Sequence, residues 1–416
     1  MKRQLLGTTA LVVAAGVFTL ASTSPAEAQQ KVEPIKITVG GYHQQFLSYV
    51  SQKDFAPVQN GTGTTGPASG KFVKTDVTSD SEIHFNGRTT LDNGITIGLR
   101  VELEANTQTG DQIDESYLII DSKFGRAEIG TLNNVHYRMY IGAPEALGRG
   151  FVVNDPEFFA NFFNSTRSST SDSTFGVVAS RFFDNDGEKI NLYTPRIQGF
   201  QLGFTYVPDS SQDQQAPVPA SIAYTRGIAV AGNFVRSFGP LDVSAYAGYF
   251  GWQGPQATFD GTPAPDPKHY SFGGKLGFAG FEVGGGYGKI RNGRTGSSGT
   301  NAPSAAGTAN RRVDGEAWEL GAQYTFGPAT VSLDYFNGRN NSSLVVGPDR
   351  GDDKFTALAL EGSYVIGPGI SIEAGIFTAQ TKSNDPAAAT TGGAGGAAAR
   401  GNNKANGAGV GLLLKF

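Results

Sequence analysis

The sequence predicts an all-β protein, a 16-stranded antiparallel transmembrane β-barrel. Three observations lead to this prediction. Apolar and polar residues alternate with a period of two, short turn signals separate these segments at regular intervals, and no apolar run beyond the N-terminal region is long enough for a spanning helix. A chain that crosses lipid without helices must do so as a closed barrel, because lipid satisfies no backbone hydrogen bonds.

The turn signals set the strand count. Each of seven short signals joins two alternating segments. They are Asp92-Asn93-Gly94, Lys123-Phe124-Gly125, Gln198-Gly199, Gly239-Pro240, Ala279-Gly280, Gly327-Pro328 and Gly367-Pro368-Gly369. Longer polar connections alternate with them, and the longest runs from 134 to 186. An even number of strands with both ends on the side of the short turns is typical of bacterial outer-membrane barrels.

The alternation is clearest between residues 94 and 107. Leu99 and Val101 there alternate with Arg100 and Glu102, so one face suits lipid and the other suits water. A barrel of this size leaves an aqueous channel rather than a filled core. Aromatic residues recur beside the turns, which favours an interfacial girdle. They are Phe124, Phe200, Phe238, Phe278, Phe281 and Phe326.

The N-terminal residues 1–28 are predicted to be a signal peptide. Two basic residues and an apolar run precede Ala26 and Ala28, which are the small residues that signal peptidase prefers. We therefore expect export to the outer membrane and a barrel domain from 29 to 416. The Ala- and Gly-rich stretch from 383 to 403 is expected to form an external loop.

Composition excludes several functions. The chain has no cysteine, so disulfides, thiolate metal sites and cysteine nucleophiles are absent. Its 33 basic and 37 acidic residues give a net charge of -4, which argues against nucleic-acid binding. None of the four histidines lies in a catalytic motif, so an enzyme is not expected, and neither is a cofactor or a metal site. The four are His43, His84, His136 and His269.

Four stretches resemble the general diffusion porins of Gram-negative outer membranes. They are Ser79 to Glu104, Ser116 to Leu132, Tyr193-Thr194-Pro195 with Gly199-Phe200, and the C-terminal GVGLLLKF ending at Phe416. The resemblance covers essentially the whole mature chain. It implies a homotrimer that passes small hydrophilic solutes and ions between outer-membrane lipids. It also implies a third loop, residues 134–186, folded inward as a constriction, and a terminal aromatic, Phe416, that the barrel-assembly machinery reads.

Charged residues on the polar faces and in the third loop are the candidate pore-lining set. They are Glu82, Arg88, Arg100, Glu102, Glu104, Glu145, Asp155 and Glu157. Porins of this family commonly oppose an arginine cluster to loop-three carboxylates. This sequence departs from that pattern, since Glu82, Glu115 and Thr131 stand where the motifs usually carry arginine. Together with the net negative charge, these replacements favour a weak preference for cations.

Two other functions stay open. A substrate-selective channel for sugars or anions would share the barrel and differ only at its constriction. The sequence has no ladder of basic residues that would indicate an anion channel, although Tyr137 and Tyr140 fit the start of an aromatic path for sugars. A structural or adhesive barrel without conductance would require a plugged lumen.

Overall fold

The computed structural model describes eleven ranges of the chain. They are 34–52, 73–105, 112–147, 187–209, 225–253, 258–259, 262–263, 266–294, 312–341, 352–383 and 403–416. The predicted signal peptide, most of the Ala- and Gly-rich stretch and residues 148–186 of the predicted third loop lie outside these ranges. No helix among the described residues has the length and apolar character needed to cross a membrane.

Sixteen strands of the described chain form a closed antiparallel barrel, and two short strands, β10 and β11, form a separate hairpin. The strands are β1 Lys36–Gln52, β2 Thr75–Thr90, β3 Thr96–Glu104, β4 Ile113–Ser122, β5 Gly125–Thr131, β6 Glu188–Tyr193, β7 Phe200–Asp209, β8 Thr225–Phe238, β9 Leu241–Gln253, β10 Thr258–Phe259, β11 Thr262–Pro263, β12 Lys268–Phe278, β13 Phe281–Arg294, β14 Arg312–Phe326, β15 Ala329–Asn341, β16 Asp352–Gly367, β17 Ile370–Ser383 and β18 Asn403–Lys415. One short helix, α1 Val135–Arg138, follows β5.

Every barrel strand pairs with the next barrel strand in sequence. β9 pairs with β12, because β10 and β11 form the separate hairpin between them. The sheet closes where β1 pairs with β18, with Tyr42 opposite Lys415. Closure leaves no strand edge exposed to lipid, which removes the cost of unpaired backbone groups. The predicted strand number and the antiparallel barrel are therefore confirmed.

Each of the seven predicted turns joins two barrel strands, as the pattern indicated. Gln198 and Gly199 both have positive φ, as do Ala279 and Gly280. This combination is characteristic of type I′ turns, whose twist matches that of the two strands they join. The strand ends that flank the longer connections lie at the other end of the barrel.

The two faces of the barrel differ as the alternation predicts. Outward side chains such as Leu320, Leu333 and Ile376 are more than half exposed, with 55%, 51% and 57% of their surface free. The six aromatic residues beside the turns are also exposed on the outer surface. Inward side chains are of two kinds, since buried charged groups such as Glu128 occur together with buried apolar side chains such as Phe336. The interior of the barrel is therefore not a single apolar core.

Candidate functional site

The site is built around residues 132–147, here called the inner segment, which follow β5 and include α1. Asn134 caps the helix, since its side chain accepts a hydrogen bond from the backbone N–H of Tyr137 at 3.1 Å. Asn134 and Val135 are fully buried although neither belongs to a strand. The inner segment is therefore packed inside the barrel.

The first half of the inner segment is held by β7, β8 and β9. The backbone N–H of Val135 donates to Thr205 Oγ1 at 2.9 Å, and Asn233 Nδ2 donates to the carbonyl of Met139 at 3.2 Å. Val135 and Met139 join one buried cluster with inward side chains of the three strands. The other members of the cluster are Val207, Ala229, Ala231, Tyr246, Phe250 and Trp252.

The second half is held by side chains of β14, β15 and β16. Glu319 Oε1 accepts from the Tyr140 hydroxyl at 2.8 Å and from the Ala143 N–H at 2.9 Å. The N–H of Ala146 donates to Ser332 Oγ at 2.9 Å, and that of Leu147 donates to Glu361 Oε2 at 3.2 Å. The inner segment thus follows the inner wall from β7 to β16.

Three glycines allow the backbone of the inner segment to lie directly on the strands. A side chain at Gly284 or Gly321 would place its Cβ 2.9 Å or 2.8 Å from a carbonyl oxygen of the segment. A Cβ at Gly273 would collide with the carbonyl oxygen of Ile141. These glycines lie on the inner faces of β12, β13 and β14. Because they have no side chains, they leave room for the backbone of the inner segment on three neighbouring strands.

Two buried histidines meet where α1 crosses the wall. His136 lies on α1 and His269 on β12, with ring centroids 4.7 Å apart. His136 Nε2 is 3.0 Å from Ser271 Oγ, and the Tyr246 hydroxyl donates to the carbonyl of His136 at 2.6 Å. Burial lowers the pKa of His136 to about 3, so its imidazole is neutral at ordinary pH.

The wall formed by β2 and β3 carries a row of carboxylates. Glu82 faces Glu104 across the two strands, and His84 faces Glu102 one rung away. His84 Nε2 is 2.8 Å from Glu82 Oε2. Arg100 bonds both His84 Nδ1, at 3.1 Å, and Glu102. Because a guanidinium only donates, Nδ1 must accept, which leaves the proton on Nε2 to bond Glu82.

Ligand atoms of Glu82, His84 and Glu102 lie within 4.8 Å of one another, a spacing that a metal ion tolerates. The Arg100 guanidinium already supplies positive charge to two of these three residues. The Arg100 guanidinium therefore already provides the positive charge that a metal ion would supply to these residues.

Arg138 links the inner segment to this acidic wall. Its Nη1 is 3.2 Å from Glu115 Oε2 and its Nη2 is 3.5 Å from Glu128 Oε1. Burial alone lowers the pKa of Arg138, but Glu128 and the other neighbouring groups raise it above its ordinary value, so the guanidinium is charged. Asn133 also bonds Glu115 through its backbone and side chain, at 2.9 and 2.8 Å. Glu115 thereby holds the start of the inner segment against β4.

A model of the Gram-negative porins matches residues 7–386, which is most of the chain. The chain belongs to the Gram-negative porin family. This membership and the closed barrel identify an outer-membrane channel rather than an enzyme.

Solved structures with the same fold cover almost the whole porin. The outer-membrane channel DcaP of Acinetobacter baumannii aligns with a TM-score of 0.60 at 13% identity, over 92% of this chain and 97% of that one. The anion-selective porin from Comamonas acidovorans aligns with a TM-score of 0.55 at 16% identity, over 92% and 100%. The trimer form of OmpT from Vibrio cholerae gives 0.53 at 14%, over 91% and 99%. At these identities the likeness concerns the fold.

Curated relatives match over a shorter part of the porin. An uncharacterised protein of Rickettsia conorii is 25% identical over 134 residues, which is 29% of this chain and 30% of that protein. A protein of Rickettsia bellii is 26% identical over 132 residues, again 29% of this chain and 30% of its own length. The chain therefore aligns with under a third of these relatives.

The structure brings some of the candidate pore residues together and separates others. Glu82, Arg100, Glu102 and Glu104 share the inner face of β2 and β3. Arg88 lies on the same face near the short turns, where it is largely exposed and pairs with Asp121 at 3.2 Å. Two further candidates, Asp155 and Glu157, fall outside the described residues.

Glu145 lies in the second half of the inner segment, between residues that are held by β14 and β15. The residues that hold this segment, chiefly Glu319, Ser332 and Glu361, were not among the sequence candidates. The sequence gives little sign of their role. An inward carboxylate that accepts from backbone N–H groups occupies the same position in the strand pattern as one that faces water. The inward glycines of β12 to β14 were a better signal.

Proposed function

We propose that this porin is a water-filled channel for passive diffusion of small hydrophilic solutes and ions, with a weak preference for cations. The observation that carries the proposal is the inner segment, whose described residues follow the barrel wall from β7 to β16 through hydrogen bonds and two apolar clusters. A lumen of this kind excludes solutes by size and charge, and it leaves water continuous from one end to the other.

The charges on the wall from β2 to β5 support the cation preference. Carboxylates on this inner wall outnumber the arginines of the wall and the inner segment together. The carboxylates are Asp80, Glu82, Glu102, Glu104, Glu115, Asp121 and Glu128, and the arginines are Arg88, Arg100, Arg126 and Arg138. A surplus of negative charge in a narrow passage raises the local concentration of cations.

The test is single-channel recording of the refolded porin in a planar bilayer, with a gradient of potassium chloride. We expect large conductance steps, a reversal potential of the sign for cation preference, and no block by added sugars. A reversal potential of the opposite sign would overturn the preference and favour an anion channel. Block by one class of sugar would favour a sugar-selective channel, and absence of conductance would favour a structural barrel.

We also propose a homotrimer. OmpT of Vibrio cholerae has a trimer form and the same fold, and the outer wall of this chain supports a similar assembly. On β1 and β2, His43 Nδ1 and Ser81 Oγ form a 2.5 Å hydrogen bond on the outward face, next to the outward pair of Gln45 and Ser79. Polar side chains are costly in lipid, so a protomer contact here would stabilise the pair. Chemical crosslinking of a His43→Leu variant tests whether this wall contributes.

The remaining proposals concern export and assembly. Residues 1–28 are removed as a signal peptide, and the barrel-assembly machinery reads Phe416. The side chain of Phe416 is exposed, while its backbone pairs with Gly41 through hydrogen bonds of 3.0 and 3.1 Å. An exposed aromatic on a fixed backbone suits recognition by another protein. Substitution of Phe416 by alanine should lower the amount of folded porin in the outer membrane, measured by its resistance to heat denaturation in detergent.

A further inference from the structure

A buried carboxyl group on β15 lies against the inner segment, and one of its oxygens has no donor. This group belongs to Asp334, which is fully buried. A Cβ built on Gly321, its partner residue on β14, would collide with Asp334 Oδ1 and would lie 2.8 Å from the carbonyl oxygen of Pro144. Asp334 Oδ1 and the Pro144 carbonyl oxygen are therefore neighbours over the same glycine. Both are acceptors if the carboxyl group is ionised.

The other oxygen of Asp334 ends a path of hydrogen bonds whose direction is fixed. The backbone N–H of Ala146 donates to Ser332 Oγ at 2.9 Å, and the Ser332 hydroxyl donates to Asp334 Oδ2 at 2.6 Å. A hydroxyl has a single proton, so Ser332 donates to no other group. Asp334 Oδ1, in contrast, has no donor among the residues that the structure describes. Asp334 thus reaches the inner segment at two points, and only the contact through Ser332 has a proton when the carboxyl group is ionised.

The charged groups around Asp334 do not favour a second anion at this place. Glu319 on β14 accepts two hydrogen bonds from the inner segment, which stabilise its carboxylate. Neither Asp334 nor Glu319 has an ion pair with a residue in the described ranges. An unpaired charge away from water is strongly unfavourable, and a neighbouring charge of the same sign makes it more so. The other described titratable groups on the elements packed here are Glu361 of β16 and Tyr140 and Glu145 of the inner segment, none of which is a cation.

We propose that Asp334 is protonated in the folded porin and that its carboxyl O–H donates to the carbonyl of Pro144, which makes Asp334 a positioning residue for the inner segment. Protonation supplies the donor for this contact and removes the buried charge. Each proton on the path from Ala146 to Pro144 then has one donor and one acceptor. Loss of the carboxyl proton leaves two acceptors in contact, so alkaline pH detaches this part of the inner segment from β15.

The sign of the pH dependence follows from where the proton is bound. The folded chain keeps the proton of Asp334 over a pH range in which the unfolded chain has already lost it, so this contribution to the free energy of unfolding falls as the pH rises. The contribution is complete in acid and is lost in alkali. Buried His136 acts in the opposite direction, since it makes the folded chain less stable in acid. The two groups are therefore separable by pH.

The test is hydrogen–deuterium exchange of the folded porin in detergent, from about pH 5 to about pH 10. The parent is compared with Asp334→Asn at equal pH, which cancels the base catalysis of exchange itself. Asparagine has the shape of the protonated carboxyl group, and its Nδ2 donates to the Pro144 carbonyl at every pH. Asp334→Ala removes both contacts. The matched control is Glu373→Gln on β17, a buried inward carboxylate that already accepts from Gln44 Nε2 at 2.7 Å.

We expect the backbone amides between residues 143 and 147 to exchange alike in the parent and in Asp334→Asn at low pH. At high pH they should exchange at least about fivefold faster in the parent. Asp334→Ala should exchange faster than Asp334→Asn over the whole range, and Glu373→Gln should follow the parent. Exchange does not depend on conduction, so its outcome is independent of the ion preference of the channel.

Three results would overturn the proposal. The first is equal exchange in the parent and in Asp334→Asn at every pH. The second is protection of the parent in alkali by added calcium or sodium ions, because a bound cation rather than a proton would then join the two oxygens. The third is an Asp334→Asn chain that lacks heat-resistant migration in detergent, because the amide reproduces the proposed hydrogen bonds and should fold like the parent.

Discussion

The hydroxyl of Tyr140 and the carboxylate of Glu319 form a 2.8 Å hydrogen bond between the inner segment and β14. Burial raises the pKa of Tyr140, and Glu319 raises it further, so the phenol keeps its proton and remains the donor. The same carboxylate oxygen accepts from Ala143. One side chain of the wall thus sets the position of two residues of the segment.

Substitution of Glu319 by alanine should loosen the inner segment. Two buried donors lose their acceptor, which costs about 1–3 kcal/mol for each donor that water does not reach. We expect a lower midpoint of thermal unfolding and noisier single-channel currents. The Glu319→Gln variant keeps an acceptor oxygen and should behave much more like the parent. Equal effects of the two substitutions would mean that the hydrogen bonds do not hold the segment.

Substitution of Gly321 by alanine should displace the inner segment without removing a hydrogen bond. The new methyl group would press on the carboxyl group of Asp334 and on the carbonyl of Pro144, and overpacking of this kind costs about 1–3 kcal/mol. Conductance and the midpoint of thermal unfolding are the measurements. The control is Gly362→Ala on β16, where the nearest atom, the carbonyl oxygen of Thr330, is 3.7 Å from the added carbon. A conductance change in the control alone would contradict this account.

The double substitution Glu82→Gln and Glu102→Gln should reduce the cation preference. Removing two carboxylates from the inner wall lowers the local concentration of cations, and we expect the cation-to-anion permeability ratio to fall about two- to fivefold at low salt. Reversal potentials in a salt gradient measure this ratio. Glu316→Gln, which removes a carboxylate from the outer surface, is the control and should leave the ratio unchanged.

The buried histidine of α1 should make the porin less stable in acid. Since burial lowers the pKa of His136 from 6.5 to about 3, the unfolded chain binds this proton first as the pH falls. Stability from this group is complete above the unfolded pKa and decreases between pH 6.5 and 3, by about 1.4 kcal/mol for each pH unit.

Thermal unfolding of the parent and of His136→Asn at several pH values measures this contribution. The difference between the two proteins should change with pH over that interval and be constant above it. A difference that is independent of pH would show that His136 contributes by packing alone. Other buried groups titrate in both proteins, so their effect cancels in the comparison, except for that of His269, whose ring lies beside His136.

The barrel was predictable from sequence because each of its determinants is local. The period of two in residues 94–107 fixes the faces of β3, and the turn residues fix where strands end. The path of the inner segment was not predictable in this way. It depends on Thr205, Glu319 and Ser332, which are distant in sequence and whose side chains suit water as well as a backbone donor. Only the assembled barrel brings them to the same wall.

The charged candidate residues also differ in whether a local sequence pattern could identify them. Glu82, Glu102 and Glu104 were found because they alternate on strands with clear periodicity. Glu115 was noticed only as a departure from the usual arginine, and its partner Arg138 was not foreseen, since a short helix inside a long connection leaves little pattern. Electrostatic partners across a lumen have no fixed spacing in sequence.

Because β1 pairs with β18, the barrel cannot close until its last strand is in place. The rung that joins Tyr42 to Lys415 closes a ladder between opposite ends of the described chain. Until β18 arrives, both outer strands of the growing sheet present unpaired backbone groups, which attract other chains. A sheet that lacks β18 is therefore an aggregation hazard, because its two edges stay open until the final strand completes the ring.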